Sequence, residues 1–233
     1  MAKIALYGGR DPRDVPMYRL AEAAGLLRVP ASTLRSWTKG QDYKVQGKRR
    51  RFQPPIPLDD GQEFLTFYNL VEAFVLSSMR RDHNVELAVV RRSVDFVRKQ
   101  MGEPRPLLTK DFYTDGVSLL VEEWGRLVSA SQEGQVAMRE VVETSLKRID
   151  RDTRGVVARL YPWRKSPEEE RVIELDPARA LGRAVLVGTG ISIDVLKARR
   201  RAGDSVKRLA RDYAVDESKV AAVVEWDEQQ QAA

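Results

Sequence analysis

The sequence contains no cysteine and a single histidine, His83, in 233 residues. Without cysteine there is no disulfide bond and no thiolate chemistry, which fits a reducing compartment. Zinc sites usually need several histidine or cysteine ligands, and one histidine leaves a single candidate of that type for a general base. We therefore expect no catalytic residue, no metal site and no cofactor, and an enzyme is the least favoured class.

Long apolar runs are also missing. No segment approaches the roughly 18 consecutive apolar residues that a membrane-spanning helix needs, and the first residues lack the apolar core of a signal peptide. We expect a cytoplasmic protein that does not enter a membrane. Hydrophobic residues still make up 42% of the chain, which is enough for a core.

Positive charge exceeds negative charge by a modest margin, with a formal net charge of +6. The basic residues include two short clusters, one within residues 44–51 and one within residues 197–201. Clustered cations raise the affinity for nucleic acid more than the same charge spread evenly. For the second cluster, DNA, an acidic partner and a solvated face are all left open.

Residues 18–40 carry the pattern of two short helices joined by a tight turn. The apolar face of the first helix is predicted to hold Leu20, Ala21, Ala24 and Leu27. In the second helix Pro30 suits the first turn, and Leu34 and Trp37 share the buried face. The side chains left facing outward are of the types that bind base edges and phosphates in a major groove: Ser32, Thr33, Arg35, Ser36 and Lys39. An ordinary helix hairpin with a solvated face is the alternative.

Residues 42–57 predict a β-hairpin with a turn near Gln46 and Gly47. A basic hairpin directly after such a helix pair is typical of a winged helix, whose wing holds the phosphate backbone. The candidate contacts in the wing are Lys44, Lys48, Arg49, Arg50 and Arg51. Together the two segments predict a winged helix-turn-helix DNA-binding domain.

Two further helices are predicted over residues 64–76 and 85–101. Thr66 or Asn69 can cap the first, which is apolar on more than one side and therefore needs a cover. We expect that cover to be a second subunit in a homodimer. Gly102 ends the second helix, whose core positions are Leu87, Val90, Val94 and Val97.

Residues 107–123 predict two short strands, because Asp115-Gly116 is a strong hairpin signal. A helix over residues 133–149 and a strand over residues 156–161 follow. The candidate core residues of that helix are Val136, Val141, Leu146 and Ile149. These elements would form a small α+β block behind the winged helix.

The polar segment 162–171 contains two prolines and is the predicted linker between a domain of residues 1–161 and a domain of residues 172–233. The second domain would pair two short strands and end in three helices, over residues 193–202, 205–213 and 217–230. Such a three-helix, homeodomain-like bundle predicts a second helix-turn-helix. Its Gly188-Thr189-Gly190 segment lacks the rest of a phosphate-loop pattern and predicts a tight turn. The fold class is therefore mainly α with small β-hairpins.

Residues 18–101 resemble the MerR-like winged helix-turn-helix in two segments, YRLAEAAGLLRVPASTLRSW and FYNLVEAFVLSSMRR. Residues 172–226 are similar to a small domain-of-unknown-function family that often occurs as an antitoxin. That family typically has Asp-Pro, Gly-x-Pro, Gly-Thr-x-Ile and a Gly-Asp/Glu-Ser-x-x-x-Leu-Ala-x-x-Tyr helix-turn-helix, and this chain has Ala184 where proline is common. The matching residues are Asp176, Pro177, Gly188, Thr189, Ile191, Gly203, Ser205, Leu209, Ala210 and Tyr213.

The combination resembles the long VapB-type antitoxins of type II toxin–antitoxin pairs. This resemblance implies a partner toxin with a PIN-like ribonuclease fold, and binding to operator DNA that represses the pair's own operon. A PIN-type active site is a carboxylate cluster around magnesium or manganese, so a cationic antitoxin segment is expected to compete there with metal or RNA. The candidate residues are Arg164, Lys165, Lys197, Arg199, Arg200 and Arg201. The alternative is a stand-alone MerR-like regulator that answers a ligand or a protein partner.

Overall fold

The structure is a computed structural model that describes residues 6–45, 48–59, 62–83, 85–163 and 170–231, with the backbone alone for some residues in helices and strands. The chain divides into two compact units, residues 1–157 and residues 158–233. Within the described ranges, no helix is both long and apolar enough to cross a membrane.

The first unit contains the predicted helix pair. Helix α1 spans Leu20–Leu27 and helix α2 spans Ala31–Lys39. Ala24 and Leu27 are buried as predicted, but Ala21 is exposed. The buried stripe takes in Ala23 and Leu26 instead, because α1 packs both on α2 and on the next helix, α3 (Phe67–His83).

Strands β1 (Gln41–Val45) and β2 (Lys48–Phe52) form the predicted antiparallel hairpin. Its register runs from Gln41 opposite Phe52 to Val45 opposite Lys48. The predicted turn residues 46 and 47 lie outside the described residues. Helix α2 passes into β1 through Gly40, whose φ of 73° is a conformation that favours glycine.

Helices α3 and α4 (Leu87–Met101) confirm the next two predicted helices. Thr66 caps α3: its hydroxyl accepts the N–H of Asn69 at 3.1 Å, and its own N–H donates to Asn69 Oδ1 at 3.0 Å. Gly102 ends α4 in the left-handed conformation, with φ 67°. The predicted core residues of α4 that have described side chains are all buried: Val90, Val94 and Val97.

Helix α3 is buried along most of its length. Its cover comes from the same chain, since α1, α6 (Gln132–Leu146) and the 3-10 segments Pro12–Asp14 and Pro106–Leu108 pack on it. The apolar character of α3 therefore does not require a second subunit. The expectation of a homodimer needs a different argument.

The two strands predicted over residues 107–123 are wrong, because this segment is helical. A π-helical turn at Phe112–Gly116 runs directly into α5 (Val117–Val128). The buried residues Val117, Leu120, Val121 and Trp124 recur at helical spacing, and their burial outweighs the turn preference of Asp115-Gly116. Gly116 has helical dihedral angles, φ −64° and ψ −31°, and the ring of Phe112 packs where a β-carbon would stand.

Helix α6 confirms the helix predicted over residues 133–149, and Ser131 caps it by accepting the N–H of Gly134 at 3.2 Å. Val136, however, is not a core residue, since it is 53% exposed. Because α6 packs on α3 and α5, its buried side is that of Met138, Val142 and Leu146. Strand β3 (Ile149–Arg151) follows, and β4 (Val157–Leu160) confirms the strand predicted over residues 156–161.

The second unit holds the predicted pair of short strands, β5 (Ile173–Glu174) and β6 (Val185–Leu186), which are antiparallel. Three helices follow: α7 (Ile193–Arg201), α8 (Val206–Tyr213) and α9 (Glu217–Gln231). Helix α9 packs on both α7 and α8. The side chains buried among them include Leu196, Leu209, Val220, Val223 and Trp226.

Candidate nucleic-acid interface

The turn between α1 and α2 is closed by backbone hydrogen bonds. Arg28 adopts the left-handed conformation, φ 55°, and its N–H donates to the carbonyl of Gly25 at 3.1 Å. The N–H of Val29 donates to the carbonyl of Ala24, also at 3.1 Å. Pro30 then occupies the N-cap of α2. The turn therefore holds α2 close against α1 with its backbone groups satisfied.

One face of α2 is anchored in the core of the first unit. Leu34 and Trp37 are fully buried, as predicted. The carbonyl of Trp37 accepts the N–H of Ile56 at 3.0 Å, and the buried hydroxyl of Thr38 donates to the carbonyl of Leu34 at 2.9 Å. With this side fixed, the opposite side of α2 must face outward.

The outward side of α2 carries the predicted contact residues. Ser32, Arg35 and Lys39 are exposed, and Thr33 and Ser36 are half-buried. The hydroxyl of Ser36 donates to the carbonyl of Ser32 at 3.0 Å and lies 3.2 Å from Oε1 of Gln41 in β1. The hydroxyl proton of Ser36 is thus engaged within the motif, while the side chains of Ser32, Arg35 and Lys39 present polar and cationic groups to solvent.

The β1–β2 hairpin adjoins the C-terminal end of α2. Arg49 and Arg51 are exposed, and Arg51 Nη2 donates to the carbonyl of Lys39 at 3.0 Å. Such a contact satisfies a carbonyl that has no partner within the last turn of a helix. The backbones of Lys44, Lys48 and Arg50 lie in the two strands, and their side chains are outside the described part.

Two contacts at this interface could not be found from the sequence. Gln41 links β1 to the hydroxyl of Ser36, and Arg51 links β2 to the end of α2. The sequence pattern places Arg51 in a run of equivalent basic residues. Its separate role depends on the hairpin register, which sets Arg51 opposite Asp42.

Positive charge predominates in this part of the first unit. Between Arg28 and Arg51 the sequence has many basic residues and one acidic residue, Asp42. Within the described residues there is also no group of three or more His, Cys, Asp or Glu side chains placed to hold a metal ion. Hydroxyl, guanidinium and ammonium groups on one helix and an adjoining hairpin can bind a polyanion, with α2 shaped for a major groove.

The second basic cluster lies on α7, and acidic residues of the second unit pair with most of it. Lys197 Nζ lies 3.1 Å from Asp227 Oδ1, and Arg201 Nη2 lies 2.9 Å from Asp227 Oδ2. Arg200 is exposed, and its Nη1 lies 3.4 Å from the carbonyl of Asp204. The cluster is therefore less cationic towards a partner than its sequence suggests.

Arg199 is bound on two sides within this unit. Its guanidinium lies 2.6 Å from a carboxylate oxygen of Asp204 and 2.6 Å from one of Asp212. The hydrogen bond to Asp212 raises the pKa of Arg199, and the same bond lowers the pKa of the Asp212 carboxyl. Arg164 and Lys165 lie outside the described residues, so the predicted toxin contact of all these cations stays a prediction.

Two family models match the chain. Residues 16–94 match the family described as "Putative DNA-binding HTH domain". This range contains α1, α2, the β1–β2 hairpin, α3 and the first half of α4. Residues 173–226 match the family described as "Protein of unknown function (DUF433)", which spans β5 to most of α9.

Two similar proteins come from Mycobacterium tuberculosis. The first is a curated protein described as "Putative antitoxin VapB45", which is 31% identical over 222 residues, covering 87% of this chain and 90% of that protein. The second is the crystal structure of Rv2018, with a TM-score of 0.67, 26% identity, and coverage of 91% of this chain and 98% of that one. Both likenesses extend over the two units.

Proposed function

We propose, from the premise that this chain belongs to the family of the VapB45 antitoxin, that it is the antitoxin of a type II toxin–antitoxin pair. It binds and neutralises a toxin, and it binds operator DNA to repress its own operon. The single observation that carries the DNA-binding part is the outward side of α2, which is cationic, rich in hydroxyl groups and continuous with a basic hairpin.

In this proposal the first unit is a MerR-like winged helix. Helix α2 lies in the major groove, where Ser32, Thr33, Arg35, Ser36 and Lys39 contact bases or phosphates. The hairpin holds the phosphate backbone through Lys44, Lys48, Arg49 and Arg50. Arg51 contacts the C-terminal end of α2 and supports the hairpin against it.

Operator binding by helix-turn-helix proteins usually involves two copies. Two copies of α2 that face the same side of a duplex contact half-sites about 34 Å apart, one helical turn. We therefore propose a homodimer on DNA, although α3 is covered within one chain. Sedimentation of the protein alone and with operator DNA measures this, and a single copy on a saturated operator would count against it.

The toxin in this proposal is a PIN-like ribonuclease. Its carboxylate cluster would attract a cationic segment of the antitoxin, either around Arg164 and Lys165 or on α7 between Lys197 and Arg201. Arg200 is the member of the α7 cluster without a described carboxylate contact, and its side chain is exposed. The division of labour then follows the predicted domains, with DNA binding in residues 1–161, a linker at 162–171 and a homeodomain-like toxin-binding domain in residues 172–233.

The deciding experiment is co-expression with the product of the adjacent gene, followed by affinity purification and a ribonuclease assay. We expect a stable complex in which nuclease activity is suppressed, and binding of the complex to the DNA upstream of the pair. A matched variant, Arg35→Ala with Lys39→Ala, should lose DNA binding but keep toxin inhibition. DNA binding without any complex would instead indicate a stand-alone regulator.

A further inference from the structure

Helices α8 and α9 repeat the geometry of α1 and α2. Both motifs begin with a helix of eight residues, Leu20–Leu27 and Val206–Tyr213. Each first helix ends at a non-glycine residue in the left-handed conformation, Arg28 with φ 55° and Ala214 with φ 53°. A valine follows in both motifs, Val29 and Val215. The next residue is Pro30, the N-cap of α2, in the first motif, and Asp216, directly before α9, in the second.

The hydrogen bonds of the two turns also correspond. The N–H of Val215 donates to the carbonyl of Ala210 at 3.0 Å, as the N–H of Val29 donates to that of Ala24. The N–H of Val220 donates to the carbonyl of Asp216, as the N–H of Leu34 donates to that of Pro30. The chain therefore contains the same helix-turn-helix backbone twice.

The buried positions agree as well. In the first motif these are Ala23, Ala24, Leu34 and Trp37, and in the second they are Leu209, Ala210, Val220 and Val223, all of them buried. Because the buried positions correspond, the outward positions correspond too. The side of α9 that matches the outward side of α2 is thereby identified.

The outward positions differ in chemistry. Where α2 has Arg35, Ser36 and Lys39, α9 has Ala221, Ala222 and Glu225. Ser218 stands where α2 has Ser32. Lys219 stands where α2 has Thr33, and its Nζ pairs with Glu170 at 2.9 Å. Two cationic side chains and a hydroxyl group, which suit a major groove, are thus replaced by two methyl groups and a carboxylate.

The N-terminal end of α9 is acidic. Asp216 and Glu217 are exposed and stand where the first motif has Pro30 and Ala31. A recognition helix contacts bases with its N-terminal residues, close to the phosphates, and carboxylates at that place repel them. Residues 170–231 carry as many acidic as basic residues, and the cations of α7 are largely paired internally.

We infer that α8 and α9 form a second helix-turn-helix that does not bind DNA, so that each chain has one DNA-binding motif. The backbone of the motif is kept, but at three outward positions α9 lacks the cationic and hydroxyl groups that α2 has. This inference rests on the proposed function only in taking α1 and α2 as the motif that binds DNA.

The first test compares two matched charge changes in the full-length protein. Ser32→Glu with Arg35→Ala alters α2, and Ser218→Glu with Ala221→Glu alters the corresponding positions of α9, each pair by two negative charges. All four positions are exposed, and circular dichroism checks that both variants fold. Using duplex DNA from upstream of the gene, we expect the α2 variant to bind at least about 10-fold more weakly and the α9 variant within about twofold of the unaltered protein. Equal losses would overturn the inference.

The second test adds the missing groups to α9, and its result does not depend on whether the first motif binds. Ala221→Arg, Ala222→Ser and Glu225→Lys give α9 the outward residues of α2. The control adds the same charge to the exposed side of α7, with Asp194→Lys and Ala198→Arg. We expect the α9 graft to increase DNA affinity more than the control does. The slope of log affinity against log salt concentration should also become steeper by about 1 or more relative to the control.

A graft that behaves like its control would mean that α9 lacks more than these residues, and the inference about the outward positions would fail. If the unaltered protein does not bind the upstream DNA while the graft does, the proposed repression fails and the inference stands.

Discussion

At the scale of single residues, Glu72 is unusual because its ionisable side chain is buried. It lies on α3 among apolar side chains and is 4% exposed. Burial raises the pKa of its carboxyl to about 7, against the opposing influence of Arg105 and Arg98. In the unfolded chain the same carboxyl would titrate near a pKa of about 4.3. Between about pH 4 and about pH 7, the folded protein therefore keeps a proton on Glu72 that the unfolded chain releases.

This difference predicts how stability depends on pH. Because the folded pKa is raised, the free energy of unfolding should fall as the pH rises from about 4 to about 7, and level off above that. Glu72→Gln removes the ionisation and should raise the free energy of unfolding at pH 8 by about 1–3 kcal/mol. Denaturant titrations at pH 5 and pH 8 measure the effect.

Glu122→Gln on α5 is the control, since Glu122 is exposed. It should change the free energy of unfolding little at either pH. If Glu72→Gln were equally neutral at pH 8, the carboxyl of Glu72 would have to be ionised in the folded protein without penalty.

Arg49 and Arg51 are two residues apart in a basic run, yet their surroundings differ. Arg51 donates to the carbonyl of Lys39, while Arg49 is exposed with no hydrogen bond described. We expect Arg49→Ala to weaken binding to all DNA sequences. It should also reduce the salt slope, the slope of log affinity against log salt concentration, by about 1. Arg51→Ala should weaken binding with a smaller change in slope, and Arg51→Lys should recover part of the affinity.

Fluorescence anisotropy at several salt concentrations separates the two cases. The run of basic residues was enough to predict a phosphate-binding hairpin, but not to distinguish these two arginines. If both alanine variants reduced the salt slope equally, Arg51 would be an ordinary phosphate contact.

At the scale of elements, the segment that joins α4 to α5 shows how burial outweighs a turn signal. A β-carbon on Gly116 would collide with the ring of Phe112 and lie 3.0 Å from Sδ of Met101. The glycine is therefore needed for close packing at the π-helical turn, and its φ of −64° needs no glycine. The Asp115-Gly116 pair predicted that the glycine is needed for a turn. The glycine is needed instead because its missing side chain leaves room for close packing.

Gly116→Ala should consequently destabilise the protein by about 1–3 kcal/mol, the usual cost of overpacking. Gly134→Ala in α6 is the matched control, because the nearest atom to its added β-carbon is 3.6 Å away. That change should be neutral or stabilising by up to about 1 kcal/mol, since alanine is the better helix former. Thermal unfolding of both variants gives the comparison, and equal effects would contradict the packing role.

At the scale of the whole molecule, the ends of the first unit are tied together by ion pairs. Arg13 Nη1 lies 3.0 Å from Asp152 Oδ2, and Arg13 also pairs with Asp11 at 2.7 Å. Asp152 accepts backbone N–H groups from Val156 at 3.0 Å and Arg154 at 2.9 Å. Hydrogen bonding by the Val156 N–H, helped by Arg13, lowers the pKa of Asp152 to about 2.

A depressed carboxyl pKa stabilises the folded state above the unfolded pKa of about 3.9, and this stabilisation is lost as the pH falls towards the folded pKa of about 2. Asp152→Asn should therefore lower the Tm at pH 7, and the difference from the unaltered protein should shrink as the pH approaches 2. The exposed Asp115→Asn is the control. A Tm difference that is independent of pH would show that the charge of Asp152 contributes nothing.

Charge is also unevenly divided along the chain. Because residues 170–231 are balanced, the net positive charge of the chain arises in the preceding residues. DNA affinity of the whole protein should then depend on the first unit, where the hairpin and α2 lie. The balance of residues 170–231 is visible in the sequence, but the ion pairs that use their cations are not.

The sequence by itself determined the helix pair of residues 18–40, the hairpin after it, the two helices behind it and the three helices at the end. Each of these is encoded locally, by apolar spacing, capping residues and basic runs, so no distant contact is needed to predict it. The tertiary structure decided what local patterns leave open. Packing on α3 and α5 placed Met138 rather than Val136 in the core, burial turned residues 112–128 into helix, and the hairpin register singled out Arg51. In each of these cases the deciding contact joins residues that are distant in the sequence or that lie on paired strands. Local sequence patterns therefore do not reveal it.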